Sequence, residues 1–527
     1  MNKKLFAMLL CAGTASLQAV AQETYQDTKL VENELNGTAR YVGMGGAMEA
    51  LGADISTISS NPAGIGLFRK SQIAVSGGLV SQNDAETSFS YGGTEINFDG
   101  NKTNASFDQI GFVWAKRTGR RSFLNFAFNY HKSRNFDQIL NAANSLSSAS
   151  QNKLTALKYG MGATNYNWNG VDANYGYYNS DNSMSPLYYQ ETVNGETTTG
   201  MNYVNATQYL FGQYQKGYIG TYDFNISGNI NDRVYLGITF GIHDVNYRSN
   251  SIYTEDLADG GSATTWETLK IDGTGFDVKF GAIFRPIEDS PFRIGAYVNT
   301  PIFYDLTQRN DADLSMDGTY NIESSNSADY DFKVYTPWKF GLSLGTTVGN
   351  YLALGATYEY SDYAGIDNRV NDGGYYDWYG EWYDSSSSDD VMNDHTDATL
   401  KGVHLLKLGM EVKPIDNFSI RAGYNFQSAI FDEDGFRDGS LESPGVCYAT
   451  STDYTNWKST NRFTVGLGYQ AGPFNIDLAY QYSQTNGTFY PFMSYFDDSD
   501  SSLDNVATSS DVNFKRNQLL LTLGYRF

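Results

Sequence analysis

The sequence is poor in the residues that build disulfide frameworks and metal clusters. Its 527 residues include only 2 Cys, 4 His and 10 Pro. Cys11 lies in the N-terminal leader described below, so Cys447 would remain alone in an exported chain. A single cysteine forms no intrachain disulfide and no cysteine metal cluster. Beyond the leader, the sequence also lacks any apolar run of the roughly 20 residues that a membrane helix needs.

The leader combines a basic start, a short apolar run and small residues. Lys3 and Lys4 come first, and the small residues extend as far as Ala21. This pattern predicts a cleavable signal peptide over residues 1–21, with cleavage before Gln22. Leu10 precedes Cys11 where a lipoprotein site would have a small residue, so we expect an exported protein without a lipid anchor.

Aromatic residues and glycine are abundant in a chain that is polar overall. The sequence has 41 Tyr, 31 Phe and 53 Gly, and its mean hydropathy is -0.43. This combination fits a β-sheet with one apolar face and one face in contact with water. Strands that cross a membrane need only about 9–11 residues of alternating character.

The chain carries a formal net charge of -23. Such a field repels phosphate backbones, so we expect no nucleic-acid partner. The acidic residues concentrate in predicted loops, for example at residues 388–390 and 496–500. We interpret them as a solvated, repulsive surface; divalent-cation bridging to lipid head groups is the alternative.

Apolar and polar residues alternate in segment after segment. From Phe474 to Tyr482 every second residue is Phe, Ile, Leu or Tyr, and the residues between them are small or polar. A period of two predicts strands with one apolar face. The pattern predicts an all-β fold, a 14-stranded antiparallel transmembrane β-barrel over residues 71–527. The predicted strands begin near Ser71, Ser106, Ser122, Gly217, Arg233, Leu269, Phe292, Phe332, Tyr351, Ala398, Phe418, Arg462, Phe474 and Lys515.

The predicted connections alternate between short and long. The short ones lie at residues 117–121, 230–232, 286–291, 348–350, 414–417 and 471–473. The long ones lie at residues 81–105, 134–216, 250–267, 305–330, 361–396, 428–461 and 484–513. Outer-membrane barrels have short periplasmic turns and longer external loops. We therefore expect a barrel in a bacterial outer membrane with both termini in the periplasm.

The last segment alternates up to a terminal aromatic residue. Its apolar face consists of Leu519, Leu521, Leu523, Tyr525 and Phe527. Outer-membrane barrels characteristically end in such a strand, and this one resembles the signal by which they are assembled. We expect the chain to engage the barrel-assembly machinery through this strand, and to contact outer-membrane lipids.

Residues 22–70, which precede the first strand, lack the alternation of apolar and polar residues. Gly43, Gly45 and Gly46 lie in a stretch of small residues that could pass close to other backbone. Apolar residues at near-helical spacing predict a short helix over residues 47–59, and Pro62 ends it. A segment of this length could fold back and plug the lumen as a short helical hatch.

Two motifs in this segment resemble the hatch of the FadL-like family of outer-membrane transporters. They are Tyr41-Val42-Gly43-Met44-Gly45-Gly46-Ala47 and Asn61-Pro62-Ala63-Gly64-Ile65. That family carries long-chain fatty acids and other hydrophobic compounds through fourteen-stranded barrels plugged by an N-terminal hatch. The resemblance implies that Asn61, Pro62 and Ala63 lie in the lumen, where hatch movement opens a path. From the residues alone, Asn61 and Pro62 also fit a rigid helix stop.

The longest predicted loop carries an apolar stripe at Phe136, Ile139 and Leu140. Its spacing predicts an amphipathic helix that captures a hydrophobic ligand above the pore, or that packs against its own loop. A dense aromatic stretch at residues 375–384 predicts a rigid external cap, or a surface for lipid, sugar or a partner protein.

Enzyme motifs are missing from the sequence. The four histidines have no metal-ligand spacing, and there is no Gly-x-Ser-x-Gly elbow. We therefore expect no catalytic site, no metal and no cofactor, with a cluster assembled from several loops as the open alternative.

Together these features predict a monomeric outer-membrane channel for passive uptake of hydrophobic small molecules, such as long-chain fatty acids. Burial of apolar surface, worth about 25 cal/mol per Å², would drive capture without an energy source. The alternative is a FadL-like barrel that serves as a protein-secretion or surface-docking partner. The predicted plug argues against a third function, that of an open general porin.

Overall fold

A closed ring of antiparallel strands surrounds the N-terminal segment in the computed structural model of the chain. The structure describes residues 23–32, 34–160, 188–193, 196–201, 203–288, 290–319, 321–376, 378–380, 382–447, 449, 451–497 and 500–527. The predicted signal peptide lies outside these residues. No helix among them is long and apolar enough to cross a membrane.

The ring has fourteen strands, as the sequence predicts, and several of them are interrupted once. Strand β1 pairs with β14 from Gln72↔Arg526 to Asn83↔Lys515, and this pairing closes the barrel. The strands are β1 (Gln72–Asn83), β2 (Thr103–Arg117), β3 (Phe123–Asn135 and Gln138–Ser145), β4 (Ala206–Ile230), β5 (Val234–Leu257), β6 (Ser262–Phe284), β7 (Arg293–Asn299 and Phe303–Met316), β8 (Ile322–Tyr335 and Lys339–Val348), β9 (Leu352–Asp362 and Asp367–Tyr376), β10 (Trp382–Ser388 and Gly402–Ile415), β11 (Phe418–Gln427), β12 (Tyr454–Ala471), β13 (Phe474–Tyr490) and β14 (Ser510–Arg526).

Side chains on the strands follow the predicted alternation. On β14, Leu519, Leu521 and Leu523 are exposed on the outer face, whereas Leu520 and Thr522 are buried on the inner face. Apolar side chains are exposed on the outside of every strand from β1 to β14, for example Leu342 at 62%. This outer belt of apolar side chains is the surface that a membrane-spanning barrel presents to lipid.

The wall extends further than the sequence predicts at one end of the barrel. The predicted loops at residues 250–267 and 305–330 are wrong, because β5 and β6 pair as far as Asp256↔Ser262 and β7 and β8 pair as far as Met316↔Ile322. The outer faces of these strand ends are mostly polar, and apolar residues such as Leu314 and Met316 point inward, so they lack the outward apolar alternation of the other strands. Main-chain hydrogen bonds between neighbours hold them as strands all the same.

The remaining connections at this end contain short elements. Two hairpins, Ser88–Tyr91 with Thr94–Asn97 and Tyr188–Val193 with Glu196–Met201, stand outside the ring. The helices there are α3 (Gln151–Gly160), α4 (Asp390–Thr399) and α5 (Pro444–Cys447), with 3-10 turns at Tyr363–Gly365 and Ser501–Leu503. We call this the loop end, and the opposite end, where both Gln72 and Arg526 lie, the turn end.

The N-terminal segment, Glu23–Phe68, is almost entirely buried. It contains α1 (Thr24–Val31), α2 (Ala39–Gly43) and two 3-10 helices, Ile55–Ser59 and Pro62–Leu67. The predicted helix over residues 47–59 is therefore wrong over most of its length. Gly52 and Ala53 both adopt positive φ, +60° and +54°, and turn the chain where a helix would continue.

Two apolar clusters fill the loop end of the barrel. One surrounds α1, whose Tyr25, Leu30 and Val31 pack against inward-facing residues such as Phe332 and Phe431. The other lies nearer the loops and includes Met392, Phe489 and Phe492. Toward the turn end the interior becomes polar, and this polar half holds the candidate site.

Candidate functional site in the barrel lumen

Glycines on the inner face of the wall form the bed on which the N-terminal segment lies. A Cβ atom on Gly466 would stand 3.2 Å from Gly43 Cα, and one on Gly345 would stand 3.0 Å from the Leu51 nitrogen. Because no side chain intervenes, the two backbones approach within van der Waals contact. The glycines of this bed are Gly237, Gly281, Gly295, Gly345, Gly355, Gly409, Gly423 and Gly466.

The structure places the predicted glycine-rich stretch on this bed. Gly45 has φ +62°, and a Cβ there would meet the Leu408 oxygen and the Tyr424 nitrogen at 2.8 Å. Gly46 has φ +79° and faces Leu35. Both positions combine a left-handed backbone with a crowded site, which only glycine satisfies without strain.

Asn61, Pro62 and Ala63 are buried and begin one 3-10 helix, Pro62–Leu67, directly after another, Ile55–Ser59, has ended. Asn61 Oδ1 accepts a hydrogen bond from the Ala63 backbone nitrogen at 3.2 Å, and Asn61 Nδ2 donates one to the Glu49 backbone oxygen at 3.2 Å. From the wall, Ser227 Oγ donates to the Pro62 oxygen at 2.8 Å. The motif thus caps a local helix and joins two parts of the segment to the wall.

Ion pairs tie the segment to the wall at the turn end. Arg40 lies 3.0 Å from Glu411, which lies 2.6 Å from Arg421, which in turn lies 2.6 Å from Asp477. Only Arg40 belongs to the segment, and the other three are inward-facing wall residues. Beside them opens a vestibule of about 420 Å³, lined also by Lys70, Lys413 and Arg526 among others.

A second ion pair joins segment and wall deeper in the lumen. Glu49 lies 2.7 Å from Lys407, and both side chains are buried. Tyr41 and Thr357 donate hydrogen bonds to the same carboxylate at 3.0 and 2.7 Å. Each Glu49 oxygen therefore has a partner, which is the condition for tolerating a buried charge.

A cavity of about 100 Å³ lies between the segment and the wall, lined by His131 and His243. Lys279 sits beside it, 3.0 Å from Asp223 and 2.8 Å from Asp277. Ser59 of the segment donates to Asp223 at 2.6 Å and lies 3.3 Å from His131 Nδ1.

Ser59, His131 and Asp223 do not have the geometry of a catalytic triad. Asp223 also approaches His131 through Nδ1, at 3.6 Å. A triad places the serine and the carboxylate on opposite ring nitrogens, so that the imidazole can pass a proton between them. Among the residues that the structure describes, no group of three or more His, Cys, Asp and Glu could hold a metal ion.

The predicted ligand-capture helix is wrong. Phe136 lies in the apolar cluster around α1, with its ring 4.9 Å from that of Tyr247, and Ile139 and Leu140 belong to the second segment of β3. This segment pairs with β4 from Gln138↔Gln215 to Ser145↔Gln208. Main-chain hydrogen bonds to β4 replace the helical ones. Leu140 is buried in the second apolar cluster, and Ile139 packs on the opposite face against Ala85 and Tyr214.

The predicted aromatic cap lies in the connection between β9 and β10. Residues 367–376 and 382–388 form a hairpin, and Trp378 at its tip is 96% exposed.

Helix α1 and the glycine bed are the parts of the site that the sequence did not reveal. Tyr25 stacks on Phe431 with ring centroids 4.8 Å apart, and Thr24 Oγ1 lies 2.8 Å from Thr396 Oγ1 in α4. The signal that could have found the bed is glycine at inward positions of several strands, such as Gly409 and Gly423, which pair directly across β10 and β11.

Comparison with known proteins finds solved structures with a similar fold. No family model matches the sequence, and no curated protein matches it significantly. Among solved structures, the CymD monoaromatic hydrocarbon channel is similar with a TM-score of 0.50 and 11% identity, over 94% of this chain and 99% of that one. A FadL homologue from Pseudomonas aeruginosa and the toluene transporter TbuX from Ralstonia pickettii have TM-scores of 0.46 and 0.48, each at 12% identity and with the same coverage. The chain thus shares the barrel fold of the CymD channel.

Proposed function

We propose that this FadL-like barrel is an outer-membrane channel through which hydrophobic small molecules pass passively. Residues 22–70 would act as its hatch and residues 71–527 as its transmembrane barrel, with both termini in the periplasm. The observation that carries the proposal is the N-terminal segment, which lies buried inside a barrel whose outer belt is apolar. A plugged, lipid-facing barrel suits a solute that must be captured and released, and does not suit free diffusion of water and ions.

The character of the interior supports a hydrophobic solute. Inward-facing apolar residues surround α1 at the loop end, so a solute that displaced α1 would meet an apolar wall. The structural neighbour CymD is a monoaromatic hydrocarbon channel. The sequence motifs at residues 41–47 and 61–65 resemble the hatch of fatty-acid transporters. We propose long-chain fatty acids as the first solutes to test, and toluene as the second.

The test is uptake by cells that express the full chain, with radiolabelled oleate or toluene supplied outside. A disulfide lock between Thr24→Cys and Thr396→Cys, in a Cys447→Ser background, would tie α1 to helix α4, since the two hydroxyls lie 2.8 Å apart. We expect the lock to abolish uptake and a reductant to restore it. The control lock, Thr460→Cys with Thr485→Cys, joins β12 to β13 within the wall and should leave uptake unchanged.

Other results would overturn the proposal. Large ion conductance of the unmodified chain in planar bilayers would indicate an open porin. No solute uptake, together with a stable co-purifying exported protein, would support the secretion or surface-docking alternative.

A further inference from the structure

Asp27, in the middle of α1, is a fully buried carboxyl group without a cationic partner in the described part of the chain. Its exposed fraction is 0%, and neither carboxylate oxygen has a hydrogen-bond partner there. Arg437, a basic residue of this region, lies 3.0 Å from Glu23 and donates to the Asp453 backbone oxygen at 2.7 Å, and it forms no ion pair with Asp27 among the described residues. An ionised carboxylate in such a place is unstable unless something neutralises it.

Asn368 is the polar side chain that faces Asp27, and it is also fully buried. Its Nδ2 donates to Asn393 Oδ1 at 3.1 Å and to Thr396 Oγ1 at 3.2 Å. An amide nitrogen has two hydrogens, so both are used. Asn368 Oδ1 accepts no hydrogen bond from any residue that the structure describes.

The orientation of the Asn368 amide is fixed by its neighbours. Asn393 Oδ1 also accepts from the Asn368 backbone nitrogen at 2.8 Å, while Asn393 Nδ2 donates to Asp367 at 3.1 Å. Asn393 therefore presents an acceptor to Asn368, and reversing the Asn368 amide would set two acceptors against each other. The group left for Asp27 is an oxygen that can only accept.

We infer that Asp27 is held as a neutral acid whose proton is donated to Asn368 Oδ1, and that this bond ties the N-terminal helix to the loop helix α4. The proton satisfies two otherwise orphaned groups at once. It also completes a chain of hydrogen bonds from α1 through Asn368 to Thr396, which Thr24 of α1 contacts from its other side. Docking of α1 then depends on pH.

The direction of this dependence follows from the burial. Loss of hydration, and then the nearby Glu23 carboxylate, raise the pKa of Asp27 well above its usual value, and the smaller opposing effect of the Asn368 side chain does not reverse this direction. Docking is strongest below the ordinary pKa of aspartate and weakens as the pH rises toward the docked pKa. Within that window each pH unit lowers the docking equilibrium constant about tenfold.

Other titratable groups lie around α1 and must be separated from Asp27. Glu23 belongs to the same turn and is paired with Arg437, Tyr330 faces the cluster from β8, and His395 of α4 lies 3.0 Å from Thr24 Oγ1. Histidine is the residue type that ordinarily changes charge between pH 5 and pH 8, so His395 is the main competitor. A His395→Gln variant removes it and should keep the pH dependence.

The test uses the full chain in detergent micelles, with hydrogen exchange of the α1 backbone amides from about pH 5 to about pH 8, corrected for the intrinsic exchange rate. We expect protection of α1 in the unmodified chain to fall with pH, by up to tenfold per unit. Asp27→Asn, whose amide can donate to Asn368 Oδ1, should keep α1 protected and remove the pH dependence. Asp394→Asn, an exposed acid of α4, should behave like the unmodified chain.

Infrared difference spectroscopy gives an independent readout. The unmodified chain should show the carbonyl stretch of a protonated carboxylic acid that Asp27→Asn lacks. Protection of α1 that is flat with pH, with no such band, would overturn the inference. Protection that follows added Na⁺ or Ca²⁺ at fixed pH would overturn it too, because the carboxylate would then hold a cation. Neither result depends on what the barrel transports.

Discussion

Lys407 of the barrel wall and Glu49 of the N-terminal segment form an ion pair of 2.7 Å in which both side chains are buried. The two residues are far apart in the chain, and the pair fixes the segment to β10 near the middle of the lumen. Arg40 and Glu411 repeat the arrangement nearer the turn end, at 3.0 Å. The segment is thus anchored by charge as well as by backbone contact.

Breaking the buried pair should destabilise the protein strongly. Glu49→Gln leaves the Lys407 ammonium buried without its counter-charge, and we expect the loss of about 3–5 kcal/mol that broken buried pairs show. Urea unfolding in micelles, followed by tryptophan fluorescence, measures it. Asp84→Asn is the matched control, because Lys515 and Asp84 are also 2.7 Å apart but Asp84 is 61% exposed, so its loss should be much smaller than that of Glu49→Gln. Equal losses of unfolding free energy would mean that the buried pair contributes no more to stability than an exposed one.

The glycine bed gives a prediction about the plug. Gly45→Ala places a methyl group against β10 and β11, and we expect the segment to lift and single-channel conductance to rise. Gly472→Ala is the control, because Gly472 has φ +60°, close to the +62° of Gly45, but has open space around it. Both variants carry the left-handed backbone cost of about 1–2 kcal/mol, and only Gly45→Ala adds a clash. Equal single-channel conductance of Gly472→Ala and Gly45→Ala would show that close contact with the glycine bed does not hold the segment in place.

The apolar belt predicts where lysine is tolerated on the outer face of β8. Leu342→Lys, in the belt, should cost about 2–4 kcal/mol in lipid bilayers if the position lies near the bilayer centre. Ser327→Lys, also outward-facing on β8 but on its polar extension, should change stability by less than about 0.5 kcal/mol. Unfolding in vesicles measures both. A similar cost at the two positions would place the membrane elsewhere on the wall.

Phe527 allows a test of the proposed assembly signal. Its ring lies 6.0 Å from that of Tyr525 and 6.5 Å from that of Phe112, on the outside of the closing seam. Deletion of Phe527 should lower the fraction of the chain that reaches the folded, heat-modifiable form in cells several-fold, with little effect on refolding in micelles. Phe474→Ala, at a nearby outer position that is 55% exposed, should assemble normally. Normal assembly without Phe527 would remove it from the signal.

Alternation of side chains was enough to predict the wall, because a strand that faces lipid must repeat with period two. The alternation did not predict the parts of the strands that extend beyond the outer apolar belt. Between Ser251 and Glu267 the outer face is mostly polar and apolar residues such as Tyr253 and Leu257 point inward, so the pattern of the belt is lost, although the β5–β6 ladder continues. From Phe136 to Leu146 the spacing of apolar residues fits a helix as well as a strand. Only the pairing with β4, which the sequence does not show, makes this segment a strand.

The site was less predictable than the wall. The motif at Asn61 pointed to a buried segment, but the pairing of Glu49 with Lys407 depends on which strand faces which residue after the ring closes. No local pattern contains that information. The acid at Asp27 was invisible for the same reason, because its environment consists of Asn368 and residues from loops that meet only in the folded barrel.

The contact between Ala39 and Thr522 bears on the order in which the chain folds. The Ala39 nitrogen donates to Thr522 Oγ1 at 2.7 Å, and the same hydroxyl lies 2.7 Å from Ser76 Oγ across the seam between the first and last strands. The seam residue thus bonds to the segment and to the opposite strand together. A ring that shut while empty would leave this hydroxyl without one of its partners. We therefore expect insertion of the N-terminal residues and pairing of the first strand with the last to stabilise each other.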